Sequence, residues 1–501
     1  MVYAKIIALS LLSAVIGTAE AQTTLRIGLA EDLDTLDPAR GITIAGRNVF
    51  ASLCDKLLDI DANLRIIPQL ATEWSSSSDQ LAITMKLRPG VVFHDGEKFD
   101  AAAVKYNIER AQTLPESVRK PEVAQIGAVE IVDPQTARIV LKSPFSPLLA
   151  QMTDRAGMMV SPKAAQAAGA ALGTKPVCAG PYRFVEWVQQ GRIVVERFPD
   201  YWDKGAAKID RVIYTPMLDS TVRLANLQSG QLDLAERVSA TDLAAVRGND
   251  RLRLYSSAEL GYTVVRFNIA NGERAKTPLG QDKRVREAFE LAIDRQALVR
   301  AAFNDEFVPG NQYLPPSSPW YVKSLPPPKR DVERAKALLR EAGVPNFSFT
   351  LLVPTGTEYE QVAVILQAML RDAGFDMRIQ VVEFITAVQA FARGDFQALL
   401  ILWSGRVDPD GNVYSFQTCK GPINSGLYCN PEVDRLLGLA RGTSDFGQRQ
   451  LHYEQAMRIT LDERPDLNLY HRQWFWGATA KLAGFRPVPD GLMRVVGLSM
   501  N

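Results

Sequence analysis

The residues best suited to chemistry follow a short apolar segment in the last quarter of the chain. Ala398 to Leu402 is an unbroken apolar run that ends at Trp403, and it predicts a strand buried on both faces of a sheet. A polar, turn-rich segment follows and carries Arg406 and Asp408. Tryptophan offers a flat apolar surface with one N–H donor, and arginine offers a forked cation that fits a carboxylate or phosphate. These residue types at this spacing predict binding of a partly apolar, anionic solute.

Three predicted strands position this segment. Phe347 to Pro354, Phe375 to Val381 and Phe396 to Trp403 alternate with helical patterns, which predicts a β-α-β-α-β unit with right-handed crossovers. Ligands of such sheets settle outside the carboxyl ends of the strands. We therefore expect the turns after Pro354 and Trp403 to share one rim of a sheet. The further candidate ligand-binding residues in these two turns are Thr355, Thr357, Ser404 and Gly405.

Two structural alternatives stay open at this point. Trp403 can belong to the core, with the Asp-Pro-Asp-Gly segment that follows serving only as a turn. Arg406 can pair internally with Asp408 or Asp410, because a buried arginine without a partner is costly to desolvate.

Length and charge narrow the class of protein. A chain of 501 residues is too long for one hydrophobic core, so we expect two or three domains. Its 57 basic and 56 acidic residues give a net charge of +1, without the basic excess of a nucleic-acid-binding protein. No stretch after the N-terminus is long and apolar enough to span a bilayer.

The N-terminus has the pattern of a secretory signal peptide. Lys5 precedes an apolar segment from Ile6 to Gly17, and Ala19-Glu20-Ala21 supplies a small-x-small cleavage pattern. We predict cleavage after Ala21 and a soluble, exported protein that begins at Gln22. An uncleaved anchor is the alternative, although this apolar run is short for a membrane span.

The four cysteines fit an oxidising compartment. Cys419 and Cys429 flank a short loop rich in glycine and proline, and we predict a disulfide between them. Cys54 and Cys178 lie far apart in the sequence, so a second disulfide and two buried free thiols are both compatible with it.

Several motifs together resemble one known family, the bacterial extracytoplasmic solute-binding proteins of family 5, which serve peptide and nickel ABC importers. The motifs occur in the family's order along most of the mature chain. They are Trp74, Leu87 to Val91, Phe93 to Gly96, Cys178 to Tyr182, Phe198 to Trp202, Phe267-Asn268 and Ala292 to Arg295.

The resemblance implies an α/β protein with the two-lobed periplasmic-binding-protein fold of type II and a ligand cleft between the lobes. Lobe 1 would comprise residues 22–268 and about 481–501, with an inserted subdomain at about 51–177, and lobe 2 would comprise about 269–480. Family members are periplasmic and deliver their solute to an ABC permease in the inner membrane. We also expect a monomer.

The sequence departs from the family's dipeptide binders at both charged anchors. Those proteins carry an aspartate three residues after the tryptophan, where this chain has Arg406. They also carry an arginine shortly after the strand proline, where this chain has Thr355, Gly356 and Thr357. We therefore predict that Arg406 binds an acidic group of the solute, while Trp403 and also Tyr262 or Phe145 cover an apolar part. A peptide or peptide-like acid is expected, and an opine, a sugar derivative, an aromatic acid or a nickel chelate is the alternative.

An enzyme is the rival class. A secreted hydrolase could have two lobes, but the chain has three histidines and neither a Gly-x-Ser-x-Gly nor a His-Glu-x-x-His motif. Asp408 and Asp410 could serve as paired acids, although their turn context favours a structural use. His94, in a Phe-His-Asp-Gly turn, is expected to be structural rather than a metal ligand. We expect no catalysis, no cofactor and no metal site.

Overall fold

A computed structural model describes residues 22–501. The predicted signal peptide, residues 1–21, lies outside the described residues. Within the described range, no helix combines the length and the apolar character needed to cross a membrane.

The strands fall into separate sheets and are numbered in chain order. They are β1 Thr24–Leu29, β2 Leu58–Ile60, β3 Ile66–Pro68, β4 Ala71–Ser76, β5 Ala82–Leu87, β6 Ile126–Asp133, β7 Thr136–Leu141, β8 Tyr182–Val188, β9 Arg192–Arg197, β10 Arg211–Pro216, β11 Leu234–Ala235, β12 Leu252–Ala258, β13 Tyr262–Phe267, β14 Val308–Pro309, β15 Phe347–Pro354, β16 Phe375–Val382, β17 Ala398–Trp403, β18 Asp466–His471, β19 Gln473–Thr479, β20 Leu482–Ala483 and β21 Ser499–Met500.

The helices cover the sheets and fill the connections between strands. They are α1 Ile44–Leu53, α2 Ala101–Thr113, α3 Lys120–Val123, α4 Leu148–Gln151, α5 Pro162–Ala168, α6 Ser220–Gln228, α7 Leu243–Arg247, α8 Pro278–Gln281, α9 Lys283–Ala292, α10 Arg295–Phe303, α11 Val332–Glu341, α12 Thr357–Arg371, α13 Phe384–Arg393, α14 Asp410–Gln417, α15 Pro431–Gly442 and α16 Phe446–Glu463.

Aspartate caps fix the start of helices on both sides of the molecule. The Asp100 carboxylate accepts from the backbone N–H groups of Ala102 and Ala103 at the start of α2. The Asp331 carboxylate likewise accepts from the backbone of Arg334 at the start of α11. Aspartate suits both positions, because its carboxylate supplies an acceptor for N–H groups that have no partner within the helix.

Two large sheets organise the chain, and each has its own core. The first has the order β12-β19-β11-β1-β10-β9-β8, with β1 parallel to both β10 and β11. The second has the order β14-β18-β13-β17-β15-β16. In this second sheet β15 runs parallel to β16 and β17, as the β-α-β-α-β pattern predicted. A smaller sheet, β4-β5-β7-β6, has a separate hydrophobic core and lies within the segment expected to be an inserted subdomain.

The chain passes between the two large sheets at two places. Residues 259–261 connect β12 to β13, and Arg472 connects β18 to β19. The two connections touch, because the backbone N–H of Glu259 donates to the carbonyl of Arg472 at 3.1 Å. By sheet membership β13 groups with lobe 2 and β19 with lobe 1. We therefore propose lobe boundaries at these connections, rather than at the expected residues 268 and 481.

All four cysteines are in disulfides. A short-range disulfide joins Cys419 and Cys429, as predicted. A long-range disulfide joins Cys54 at the end of α1 to Cys178. The second bond settles the question that the sequence left open.

Candidate functional site

A cavity of about 290 Å³ lies between the lobes and is lined by residues of both. The lobe-2 wall comes from the segment after β17 and the start of α14, and the lobe-1 wall comes from α1 and the region of α3 and α4. The lining residues used below are Arg47, Arg119, Glu122, Asp154 and Arg155 of lobe 1, and Trp403, Gly405, Arg406, Asp408 and Gly411 of lobe 2.

Trp403 stands at the end of β17 with its indole at the cavity wall. The indole N–H donates to the side-chain oxygen of Asn412 at 3.0 Å, and the ring meets Phe416 edge-on at 5.0 Å. The carbon at the centre of the Arg406 guanidinium lies 4.5 Å from the centroid of the Trp403 ring. Strand end, indole and guanidinium therefore form one unit, at the turn where the sequence analysis placed its candidate ligand-binding residues.

The turn after Trp403 is held by Asn412 and by two glycines. The Asn412 side chain accepts from the backbone N–H of Arg406 at 2.7 Å and donates to its carbonyl at 3.1 Å. Gly405 has a φ of +78°, and a Cβ there would lie 2.2 Å from the carbonyl carbon of Leu260. A Cβ at Gly411 would lie 2.6 Å from Cγ of Arg406. Glycine is required at both positions for the backbone and the arginine side chain to pack this closely.

Arg406 has no acid partner among the residues that the structure describes. Its guanidinium donates to the Gly405 carbonyl at 2.7 Å and approaches the Ser404 hydroxyl at 3.4 Å. Within residues 22–501, it forms no ion pair with a carboxylate. The two neighbouring acids pair elsewhere, Asp408 with Arg449 at 2.8 Å and Asp410 with Arg441 at 2.7 Å. Internal pairing, which the sequence allowed, is thus not what the structure contains.

Burial lowers the pKa of Arg406 from its ordinary value, and the Asp154 carboxylate of the opposite lobe opposes that shift. Burial by itself would raise the pKa of Asp154, but the surrounding guanidiniums hold this pKa well below its ordinary range. Arg406 acts on Asp154 in this way across the cavity. The two walls are therefore electrostatically coupled.

The remaining predicted site residues lie away from the cavity wall. Tyr262 is 1% exposed, and its hydroxyl donates to the Asn412 carbonyl at 2.9 Å, so it supports the turn from behind. Phe145 is also buried, and it packs under the guanidinium of Arg441 where the inserted subdomain meets α15. Thr355 is exposed and its hydroxyl donates to the carbonyl of Val382. Thr357 begins α12, and its side chain is outside what the structure describes.

Sequence reasoning missed the lobe-1 wall. Arg47 lies in α1, Arg119 directly precedes α3, and Arg155 begins a 3₁₀ helix at 155–157. Each is between 4% and 5% exposed. Buried arginines far apart in a sequence carry no shared motif, so only the fold brings them together.

His94 has backbone partners. Its Nε2 lies 3.1 Å from the Gly180 carbonyl, and its Nδ1 accepts from the backbone N–H of Cys178 at 3.3 Å. Burial lowers the pKa of His94 to about 4, so the ring is neutral at pH 7. Among the residues that the structure describes, no cluster of histidine, cysteine and acidic side chains could hold a metal ion.

Comparison with known proteins places this architecture in a family. Residues 65–424 match the family model described as "Bacterial extracellular solute-binding proteins, family 5 Middle". The chain belongs to the family 5 solute-binding proteins. That membership agrees with the motifs recognised in the sequence.

Family 5 relatives bind different small solutes. The glutathione-binding protein GsiB of Pectobacterium atrosepticum is 32% identical over 489 residues, which cover 93% of this chain and 92% of GsiB. The solved structure of AgaA from A. tumefaciens, in complex with agropinic acid, is 25% identical with a TM-score of 0.84 and covers 95% of this chain and 99% of AgaA. The ABC transporter-associated periplasmic binding protein DppA from Helicobacter pylori, in complex with a peptide, is 24% identical with a TM-score of 0.85; the match covers 95% of this chain and 98% of DppA. These family 5 proteins are solute-binding proteins rather than enzymes.

The two-lobed α/β fold with its solute cleft is therefore that of a family 5 protein. The chain is a solute-binding protein of this family.

Proposed function

We propose that this protein captures an acidic, peptide-like solute in the periplasm and delivers it, unaltered, to a permease in the inner membrane. One observation carries the proposal. Arg406 lines the cavity between the lobes, stacks on Trp403 and has no carboxylate partner among the described residues.

The chemistry of that pair defines the expected contact. A guanidinium binds a carboxylate through two parallel hydrogen bonds, and such charge-assisted bonds are stronger than neutral ones. The Trp403 ring offers an apolar face beside it, suited to a methylene chain or a ring. A cavity of about 290 Å³ favours a small solute over a long peptide.

Glutathione is the first candidate solute. GsiB, named for glutathione binding, is 32% identical to this chain over most of both proteins. Glutathione is a small peptide with carboxylates at both ends, so it fits a site built around arginine. Agropinic acid is the second candidate, because AgaA is similar in fold and 25% identical.

Binding in such a protein acts through the equilibrium between open and closed lobes. The lobes are joined by the connections at 259–261 and Arg472, which would bend as the cleft closes. A solute that touches both walls stabilises only the closed form and so shifts the population towards it. A micromolar affinity, about −8 kcal/mol, would leave room for later release to the permease. We propose a monomer whose signal peptide is removed after Ala21.

Two measurements test the proposal. Native mass spectrometry of the protein purified from periplasmic extract should show a bound acidic solute with an unchanged mass. Calorimetric titration with glutathione and with agropinic acid should then show saturable binding of at least one of them.

A matched pair of variants controls the titration. Arg406→Gln should weaken binding about 10- to 100-fold, because it removes a charge-assisted contact. Arg435→Gln, at an exposed site on α15, should bind as the wild type does. Equal affinity of the Arg406→Gln variant and the wild type, or turnover of a solute, would refute the proposal.

A further inference from the structure

Three arginines of lobe 1 converge at the cavity wall opposite Arg406. Arg47, Arg119 and Arg155 come from three separate stretches of chain and are all buried. The guanidiniums of Arg119 and Arg155 both donate to the carbonyl of Gly41, at 3.4 and 3.0 Å. Two like charges are therefore held against one neutral acceptor.

Carboxylates balance this group only in part. Asp154 contacts Arg47 at 3.3 Å and Arg155 at 3.5 Å. Glu122 contacts Arg119 at 2.5 Å. The Nε atom of Arg119 is buried and, in the described part of the chain, has no hydrogen-bond partner. Burial and then the Arg119 charge lower the pKa of Arg155 well below its ordinary value, as expected for crowded cations.

The other acids of the cavity wall do not make up the difference. Asp408 and Asp410 each pair with their own arginine, and Asp490 pairs with Arg494 at 2.8 Å. Counted with Arg406, four guanidiniums at the cavity share two carboxylates, both of which lie on lobe 1. Buried charge is stable only when it is paired, so this excess calls for a negative partner.

We infer that Arg47, Arg119 and Arg155 form a second anion subsite, so that the solute bridges the lobes with one acidic group on Arg406 and another on this cluster. The inference rests on the proposed function and narrows its solute to a diacid. A monocarboxylate could satisfy one lobe only. A diacid draws both cationic walls together, which would make closure depend on its two charges.

The test compares acids with their matched amides. Calorimetric titrations at pH 7 would use glutathione and glutathione whose glycine carboxylate is converted to the amide. We expect the amide to bind the wild type about 10- to 100-fold more weakly, because one charged contact is lost. Arg119→Gln should weaken the binding of glutathione to a similar degree and should weaken the binding of the amide less. Arg138→Gln, an exposed change in the same lobe, is the control.

A second probe separates this inference from the proposed function. Thermal unfolding would be followed with glutarate and with its monoamide, which have the same chain length but differ by one charge. The subsite predicts that glutarate raises the unfolding midpoint of the wild type more than the monoamide does, and that Arg119→Gln removes this difference. If glutathione and agropinic acid both fail to bind while this preference holds, the subsite stands and the proposed solutes are wrong.

Equal binding of glutathione and its amide, with no preference for glutarate, would overturn the second subsite and leave the Arg406 site intact. Circular dichroism would check that Arg119→Gln folds. Should it not fold, the acid–amide comparison on the wild type alone decides.

Discussion

Replacing Gly405 with alanine should lower both the stability of the protein and its affinity for the solute, because the turn that carries Arg406 packs directly against a connection between the lobes. Gly405 has a φ of +78°, and an added Cβ would lie 2.2 Å from the carbonyl carbon of Leu260 and 2.5 Å from the nitrogen of Gly261. Those atoms are backbone, so they cannot move aside as the end of a side chain can.

The expected cost has two parts. An alanine in the left-handed conformation costs about 1–2 kcal/mol relative to glycine. Overpacking against atoms that cannot yield adds about 1–3 kcal/mol. The free energy of unfolding should therefore fall by about 2–5 kcal/mol. If separating the turn from residues 259–261 relieves part of the strain, the closed form loses about 1–2 kcal/mol relative to the open form, which weakens solute binding about 5- to 30-fold.

The assay combines urea unfolding with calorimetric titration of the solute. Gly438→Ala is a matched control, since Gly438 lies in α15 and a Cβ added there would meet open space. That change should raise the free energy of unfolding by up to about 1 kcal/mol, because alanine favours helix over glycine. A Gly405→Ala variant as stable as the wild type and with unchanged affinity would show that the turn and the connection are not coupled as described.

Three further predictions concern charge, disulfides and pH. Arg406→Asp should lower affinity for an acidic solute about 100-fold or more, because it replaces attraction by repulsion in a desolvated site, whereas Arg435→Asp should not; titration calorimetry measures both. Removing the long-range disulfide should lower the free energy of unfolding by about 5 kcal/mol and removing the short-range one by about 3 kcal/mol, since the loops that they close span 124 and 10 residues. Similar losses for the two disulfides in urea unfolding would argue against loop entropy as the cause. Burial raises the pKa of Asp55 to about 7, although the hydrogen bonds from Trp202 and Tyr201 oppose this shift. The protonated carboxyl therefore contributes to the free energy of unfolding at acid pH, and this contribution is lost as the pH rises from about 4 to 7. Asp55→Asn should remove that part of the decline, and identical pH profiles of the variant and the wild type would contradict the prediction.

Local patterns predicted the part of the fold that local interactions determine. The strand ending at Pro354 and the strand ending at Trp403 were recognised because apolar runs and alternation report burial directly. The parallel pairing of β15 with β16 and β17 followed from the alternation of strands with helices. The cap at Asp331 is likewise a local feature, because its role depends only on the helix that it begins.

The sequence placed at the cavity only those candidate residues that one continuous segment carries. Trp403 and Arg406 lie three residues apart on one turn, and the structure brings the guanidinium over the indole. Tyr262 was expected at the solute but is buried, with its hydroxyl on the Asn412 carbonyl, because β13 packs behind the turn and that packing is not visible in a local pattern. Arg119 and Arg155 were missed because they meet only at the Gly41 carbonyl, which the fold brings to both of them.

The most direct test of the central claim is a crystal structure of the protein with the solute that it retains from the periplasm. An acidic group of that solute should lie about 2.7–2.9 Å from the Arg406 guanidinium, between the lobes and beside the Trp403 ring. A solute bound elsewhere, or one that meets Arg406 with no acidic group, would contradict the account.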